Sequence, residues 1–146
     1  METTRPNILM ITCHDIGRHL GAYGVNSVQT KHIDRLAAKG LCFENVYSTS
    51  GVCSPARGSL HTGRYPQCNG LMGLTHAPWW WALQDGERHS AELFGELDYE
   101  TYLIGLNHID QNTKRLGYDH FLSRDLRASE NVLATRALIQ EAATKQ

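Results

Sequence analysis

Ile8-Leu9-Met10-Ile11-Thr12, closed by His14-Asp15-Ile16-Gly17, is a short apolar run rich in strand formers that ends in polar groups. A run this short, bounded this way, predicts a buried strand. Polar groups at the C-terminal end of a strand are where open parallel α/β sheets collect their sites. Outward from this stretch, strands and helices alternate. Ile33, Leu36 and Ala37 recur at helical spacing within residues 31–39, and Gly40 supplies a stop. Residues 41–46 read as a second strand. Pro55 suits a helical first turn, with a helix over 56–62 that Gly63 ends. Residues 67–86 read as irregular. Ser90 is the expected N-cap of a helix through Leu97, and residues 101–104 read as a strand followed by a loop over 105–108. Phe121 falls in a further short strand. Ser129, with Glu130 in the first turn, opens a helix that runs almost to the last residue. The alternation argues for an α/β fold with a largely parallel sheet.

The chain of 146 residues is long enough for one domain with a real core, and its 41% hydrophobic and 20% charged residues are ordinary for a soluble globular protein. Fourteen basic against fifteen acidic residues leave a net charge of −1, which gives no electrostatic case for nucleic acid or an anionic membrane as partner. Residues 8–11 are too few to span a bilayer, and neither a basic n-region nor a small-residue cleavage site accompanies them. The expected location is therefore cytoplasmic. Cys13, Cys42, Cys53 and Cys68 form no C-x-x-C pair and no zinc spacing, and without an export signal reduced thiols are expected.

The chemistry concentrates in Val52-Cys53-Ser54-Pro55-Ala56-Arg57 and its continuation Gly58-Ser59-Leu60-His61-Thr62-Gly63-Arg64-Tyr65-Pro66. A cysteine just before a helix N-terminus sits at the positive end of the helix dipole, where backbone N–H groups favour an anion. Arg57, one turn on, can reach the same place, so the stretch suits a tetrahedral oxyanion. A tyrosine phosphatase loop would place five residues between Cys and Arg, and only three intervene.

This stretch resembles the sulfatase signature C-x-P-x-R continuing into T-G-R. The resemblance implies that a formylglycine-generating or sulfatase-maturating enzyme oxidises Cys53 to formylglycine (3-oxoalanine), whose hydrate carries the nucleophilic oxygen. Pro55 and Arg57 would guide that enzyme, and Arg57 would also support the nucleophile. Arg5-Pro6-Asn7-Ile8-Leu9 with His14-Asp15-Ile16-Gly17 is similar to the family's opening strand and its D-D-x-G loop, whose carboxylates hold a divalent cation, usually calcium. His14 replaces the first acid and Asp15 keeps the second. The implied metal ligands are His14, Asp15 and the modified Cys53, and the implied cation is calcium, with zinc or manganese as the alternatives that a histidine ligand suits better.

Tyr23-Gly24 and the run from Thr30 to Asn45 also resemble family segments and are read as architectural, with no chemistry assigned to Asp34 or Glu44. The segment Tyr102-Leu103-Ile104-Gly105-Leu106-Asn107-His108 falls where the family has a strand followed by G-K-x-H. His108 matches and is a candidate catalytic residue. Leu106 stands in place of the sulfate-binding Lys. Residues 68–74 are similar to the sulfamidase-like branch, which cleaves N-sulfate from glucosamine. Trp79, Trp80 and Trp81 could stack on a sugar ring, although packing or lid formation is the simpler reading, and His76 and His89 are left without a role.

The resemblance implies an alkaline-phosphatase-like α/β sandwich with a mostly parallel central sheet. Residues 1–146 would be the N-terminal portion of its catalytic domain, a fragment inactive alone. The implied activity is hydrolysis of sulfate esters or sulfamates of a small molecule or glycan. Two alternatives are kept. One is a phosphonate or phosphate ester hydrolase of the same superfamily, and the other is a non-catalytic truncated relative in which His14 and Leu106 mark a decayed site.

Overall fold

The computed structural model describes residues 5–123 and 127–144. The chain divides into two compact units, Met1–Tyr47 and Ser48–Gln146.

In the first unit, helix α1 (Lys31–Lys39) ends at Gly40, as the periodicity predicts. A 3₁₀ turn over Gly21–Tyr23 packs on it. Asp34 makes that junction: its Oδ1 accepts from the Thr30 hydroxyl and the Ala22 amide, each at 2.8 Å. Gly21 has no room for a side chain, because a Cβ there would lie 2.5 Å from the Asp34 carboxylate. Asp34 is architectural, in line with its reading from sequence.

The two strands expected in this unit are not formed. Residues 8–11 and 41–46 have no regular pairing, and Ile8, Leu9, Met10 and Ile11 are between 55% and 72% exposed. The reason lies in what a strand requires. A parallel strand satisfies its N–H and C=O groups only through neighbours and is buried on both faces. Among the described residues, the strands present pair only with each other.

The second unit carries helices α2 (Cys53–Thr62), α3 (Pro66–Asn69) and α4 (Ser90–Glu96), then strands β1 (Tyr102–Ile104) and β2 (His120–Ser123), then helix α5 (Ala128–Thr144). β1 and β2 pair in parallel, Tyr102 opposite His120 and Leu103 opposite Phe121, with an irregularity between Leu103 and Ile104. Parallel pairing of two strands separated by a long connection is the α/β signature that the alternation predicts. Thr101 and Asp119 lock the start of the pair. The Thr101 amide and hydroxyl both donate to Asp119 Oδ2 at 2.8 Å, and the Asp119 amide returns to Thr101 Oγ1 at 3.1 Å. These bonds hold the Asp119 carboxyl below its ordinary range.

Leu71, Leu83, Ile109 and Leu116 form the core of this unit, with Tyr118 against it. α2 approaches it closely, since a Cβ on Gly58 would lie 2.8 Å from Leu71 Cδ2. Asn69, fully buried, ties the end of α2 to the core segment at Leu71. Its Nδ2 donates to Thr62 Oγ1 and the Arg64 carbonyl at 3.1 Å, and its Oδ1 accepts from the Leu71 amide at 3.0 Å.

Three boundaries move. α2 starts at Cys53 rather than Ala56, because Val52, still extended, serves as the N-cap and its carbonyl accepts from the Ala56 amide at 3.1 Å. Three residues expected to be irregular, 67–69, join Pro66 in α3, which Pro66 starts and the left-handed Gly70 stops. The N-cap of α4 is His89, whose Nδ1 accepts from the Ala91 amide at 3.1 Å, and Ser90 is the first helical residue. No helix among the described residues is long and apolar enough to cross a membrane.

Candidate active site

Cys53 is the first residue of α2 and a half-buried free thiol. Arg57 follows four residues later, so the two side chains leave the same face of the helix, one turn apart. The next residues on that helix are used for packing: Ser54, Pro55, Gly58 and Ser59 are all buried. Cys53 is therefore at the edge of a helix whose back is fixed to the core.

Arg57 reaches across to the loop after β1. Its Nη1 donates to the Leu106 carbonyl at 3.4 Å. That loop is shaped by Gly105, at φ +84, and by Asn107, whose Oδ1 accepts from the Ile109 amide at 2.7 Å and the Asp110 amide at 3.1 Å. The Asn107 turn holds His108 in the left-handed region at φ +57. A non-glycine residue in that region is uncommon and is held there by its surroundings. One face of its ring lies on His76, with centroids 5.6 Å apart and planes 9° from parallel. The structure thus brings Arg57 and the His108 loop together, both on the second unit with Cys53.

At the other end of α2, the His61 ring nitrogen Nδ1 is 2.8 Å from Ser90 Oγ, and its ring stacks on His89 at 4.4 Å. Burial lowers the His61 pKa, and the Arg57 charge lowers it further. Neither His61 nor His89 stands out in the sequence, where isolated histidines carry no spacing signal.

His14 and Asp15 belong to the first unit and lie side by side, His14 Nε2 3.5 Å from Asp15 Oδ2, both well exposed. Among the described residues, no group of three or more His, Cys, Asp or Glu side chains is arranged to hold a metal ion. Calcium takes six to eight oxygen ligands. One carboxylate and one imidazole do not make such a site.

The sulfatase family model matches residues 6–135. The chain belongs to the sulfatase family. Sulfatases hydrolyse sulfate esters, and this sulfatase chain is similar to several of them. The human N-acetylgalactosamine-6-sulfatase is 34% identical over 148 aligned positions, which cover 87% of this chain and 28% of the relative. An ulvan-active sulfatase of Formosa agariphila is 44% identical over 66 residues, 45% of this chain and 11% of the relative. A crystal structure of a sulfatase candidate from Bacteroides fragilis superposes with a TM-score of 0.57 at 35% identity, over 64% of this chain and 21% of that one. The sulfatase chain therefore spans less than a third of the length of these proteins.

Proposed function

We propose that this chain supplies the nucleophile of a sulfatase acting on sulfated glycans, and that Cys53, after oxidation to formylglycine, is that nucleophile. The observation that carries the reading is the placement of Cys53 and Arg57 one turn apart on α2, with Arg57 donating to the loop that bears His108. The unmodified thiol is half-buried rather than sealed in the core, which suits a position that a maturing enzyme must reach. Formylglycine supplies, when formed and hydrated, an oxygen nucleophile for attack on sulfur.

The chain's own residues then do three things. Arg57 places a fixed positive charge beside the attacked group, where negative charge builds on the sulfuryl oxygens. The Asn107 turn and the His76 ring hold the His108 imidazole in one orientation. The packed back of α2 keeps position 53 from shifting as the charge develops. A divalent cation held partly by Asp15 belongs to this reading from motif alone, and the mixed oxygen and nitrogen donors of Asp15 and His14 suit zinc or manganese better than calcium. No step is assigned to it.

The overall architecture is taken to be the alkaline-phosphatase-like sandwich with a mostly parallel sheet, of which β1 and β2 are one adjacent pair. The glycan preference is supported by relatives named for N-acetylgalactosamine-6-sulfate and for ulvan. The sulfamidase-like segment carries less weight, because burial of Asn69 and Leu71 accounts for it by packing.

The test is mass spectrometry of the protein from its native host, followed by sulfate release. Conversion of Cys53 to the aldehyde with turnover of a sulfate ester is the expected result. An intact thiol with no turnover would leave a non-catalytic relative. Turnover of phosphate or phosphonate esters in preference to sulfate would assign the alternative hydrolase class.

A further inference from the structure

Trp79, Trp80 and Trp81 are 56%, 62% and 43% exposed, although the same unit holds a closed apolar core of leucines and isoleucine. Large rings left in water beside a fixed backbone call for an explanation other than core packing. The segment carrying them is not loose. The Trp79 and Trp80 amides both donate to the His76 carbonyl, at 3.1 and 3.2 Å, and the Trp81 amide donates to the Leu74 carbonyl at 3.1 Å. Trp81 is seated on Gly73, where a Cβ would lie 2.5 Å from the indole.

This turn is also pinned to the loop of His108. Gln111 Nε2 donates to the Thr75 carbonyl at 2.9 Å, and His76 stacks on His108. Trp79 then meets His76 edge to face, with centroids 5.9 Å apart and planes at 78°. The rings run outward in order from His108 through His76 to Trp79. An indole face beside ring N–H groups matches the two sides of a pyranose, its apolar C–H face and its hydroxyl rim.

We propose that Trp79, backed by His76, is a platform for a sugar ring of the substrate, next to the site of sulfate cleavage. The inference rests on the sulfatase reading and assigns the residue that selects a carbohydrate over a small aryl sulfate. Arg57 is bonded to the loop of His108, and His108, His76 and Trp79 follow one another from that loop, which is the route by which a substrate held at Arg57 would reach the indole.

Two measurements separate this proposal from the reading on which it rests. In the active enzyme, Trp79→Ala is expected to raise KM about tenfold for N-acetylgalactosamine 6-sulfate and less than about twofold for 4-nitrophenyl sulfate, which has no sugar ring. Trp79→Phe, which keeps a ring, should stay within about threefold of wild type on both substrates and guards against a folding defect. In the 146-residue chain, saturation-transfer NMR with unsulfated N-acetylgalactosamine should show contact that Trp79→Ala removes. Equal losses on both substrates, or no loss on either, overturn the platform. Sugar contact dependent on Trp79, with no sulfate release by full-length protein carrying formylglycine at position 53, keeps the platform and overturns the sulfatase reading. Hydrolysis without Trp79-dependent sugar contact does the reverse.

Discussion

Arg57 Nη1 donates to the backbone carbonyl of Leu106 at 3.4 Å, a link across 49 residues of sequence. The bond joins the first half of α2 to the loop that ends in His108, so the Arg57 guanidinium links the two segments carrying the candidate chemistry. Burial lowers the His61 pKa, and the same charge lowers it further.

Replacing Arg57 should therefore be visible without any substrate. Arg57→Ala is expected to raise the His61 pKa, followed by NMR titration of its ring protons. The variant should also lose about 1 kcal/mol in urea unfolding, the usual net worth of a hydrogen bond, the length of this one at 3.4 Å offsetting the charge of its donor. An unmoved His61 titration would mean that the guanidinium does not sit where its field reaches α2's last turn.

Leu106 offers a second test, because only its carbonyl is used by Arg57. Leu106→Lys keeps that carbonyl and adds a cation on the loop of His108. Anion affinity should rise several-fold at low salt and return toward wild type as ionic strength approaches about 0.5 M, where the screening length falls to a few ångströms. Sulfate binding by isothermal titration at two salt concentrations checks it. No gain at low salt would place the Leu106 side chain away from the anion.

How much of this was legible in the sequence depends on how local the information is. α1 and its stop at Gly40 follow from spacing alone, and β1 and β2 are short runs with their own partner close by. The C-x-P-x-R pattern singled out Cys53 and Arg57 but left the cysteine just before a helix starting at 56, and only the earlier start of α2 at Cys53 puts the two one turn apart on one face. Residues 8–11 and 41–46 carry strand composition, yet a strand exists only with a partner, and pairing cannot be read from the strand itself. The His61–Ser90 and His76–His108 contacts join residues 29 and 32 apart through tertiary structure. No residue type or spacing announces them.

Gly117 marks the point where α4 crosses the turn before β2. Its φ is +74, and a Cβ there would come within 2.9 Å of Glu92 Cα and 3.0 Å of Glu92 N. Both obstacles are backbone, which cannot swing aside as a side chain does. Gly117→Ala is expected to destabilise the second unit by about 2 kcal/mol or more, since strain in the left-handed region adds to the clash. Gly86→Ala is the control: φ is also positive, at +86, but nothing lies within 4 Å of the added Cβ. It should cost clearly less in the same urea titration. Equal costs would mean that α4 yields readily at this contact.

His89 predicts an acid-sensitive junction between α2 and α4. Its ring is 1% exposed, stacked on His61, tilted against Tyr118, and used through Nδ1 to cap α4. Burial first, and the neighbouring His61 second, push its pKa down to about 3 from the ordinary 6.5, with the Leu116 backbone opposing weakly. Because the folded value is depressed, the folded state resists the proton that the unfolded state accepts. Above pH 6.5 both states are neutral at this ring and stability is intact. Between about 6.5 and 3 the unfolded chain binds the extra proton, so stability falls with pH by up to about 1.4 kcal/mol per unit. Protonation of Nδ1 would also remove the acceptor for the Ala91 amide. His89→Asn keeps a side-chain oxygen able to cap α4 but cannot titrate. It should start less stable at pH 7.5, through lost ring packing, and then lose stability more slowly than wild type as pH drops toward 4.5. Urea midpoints across that range decide it. Parallel decline in the two proteins would shift the acid sensitivity to His61 or to the carboxylates and free His89 of the role.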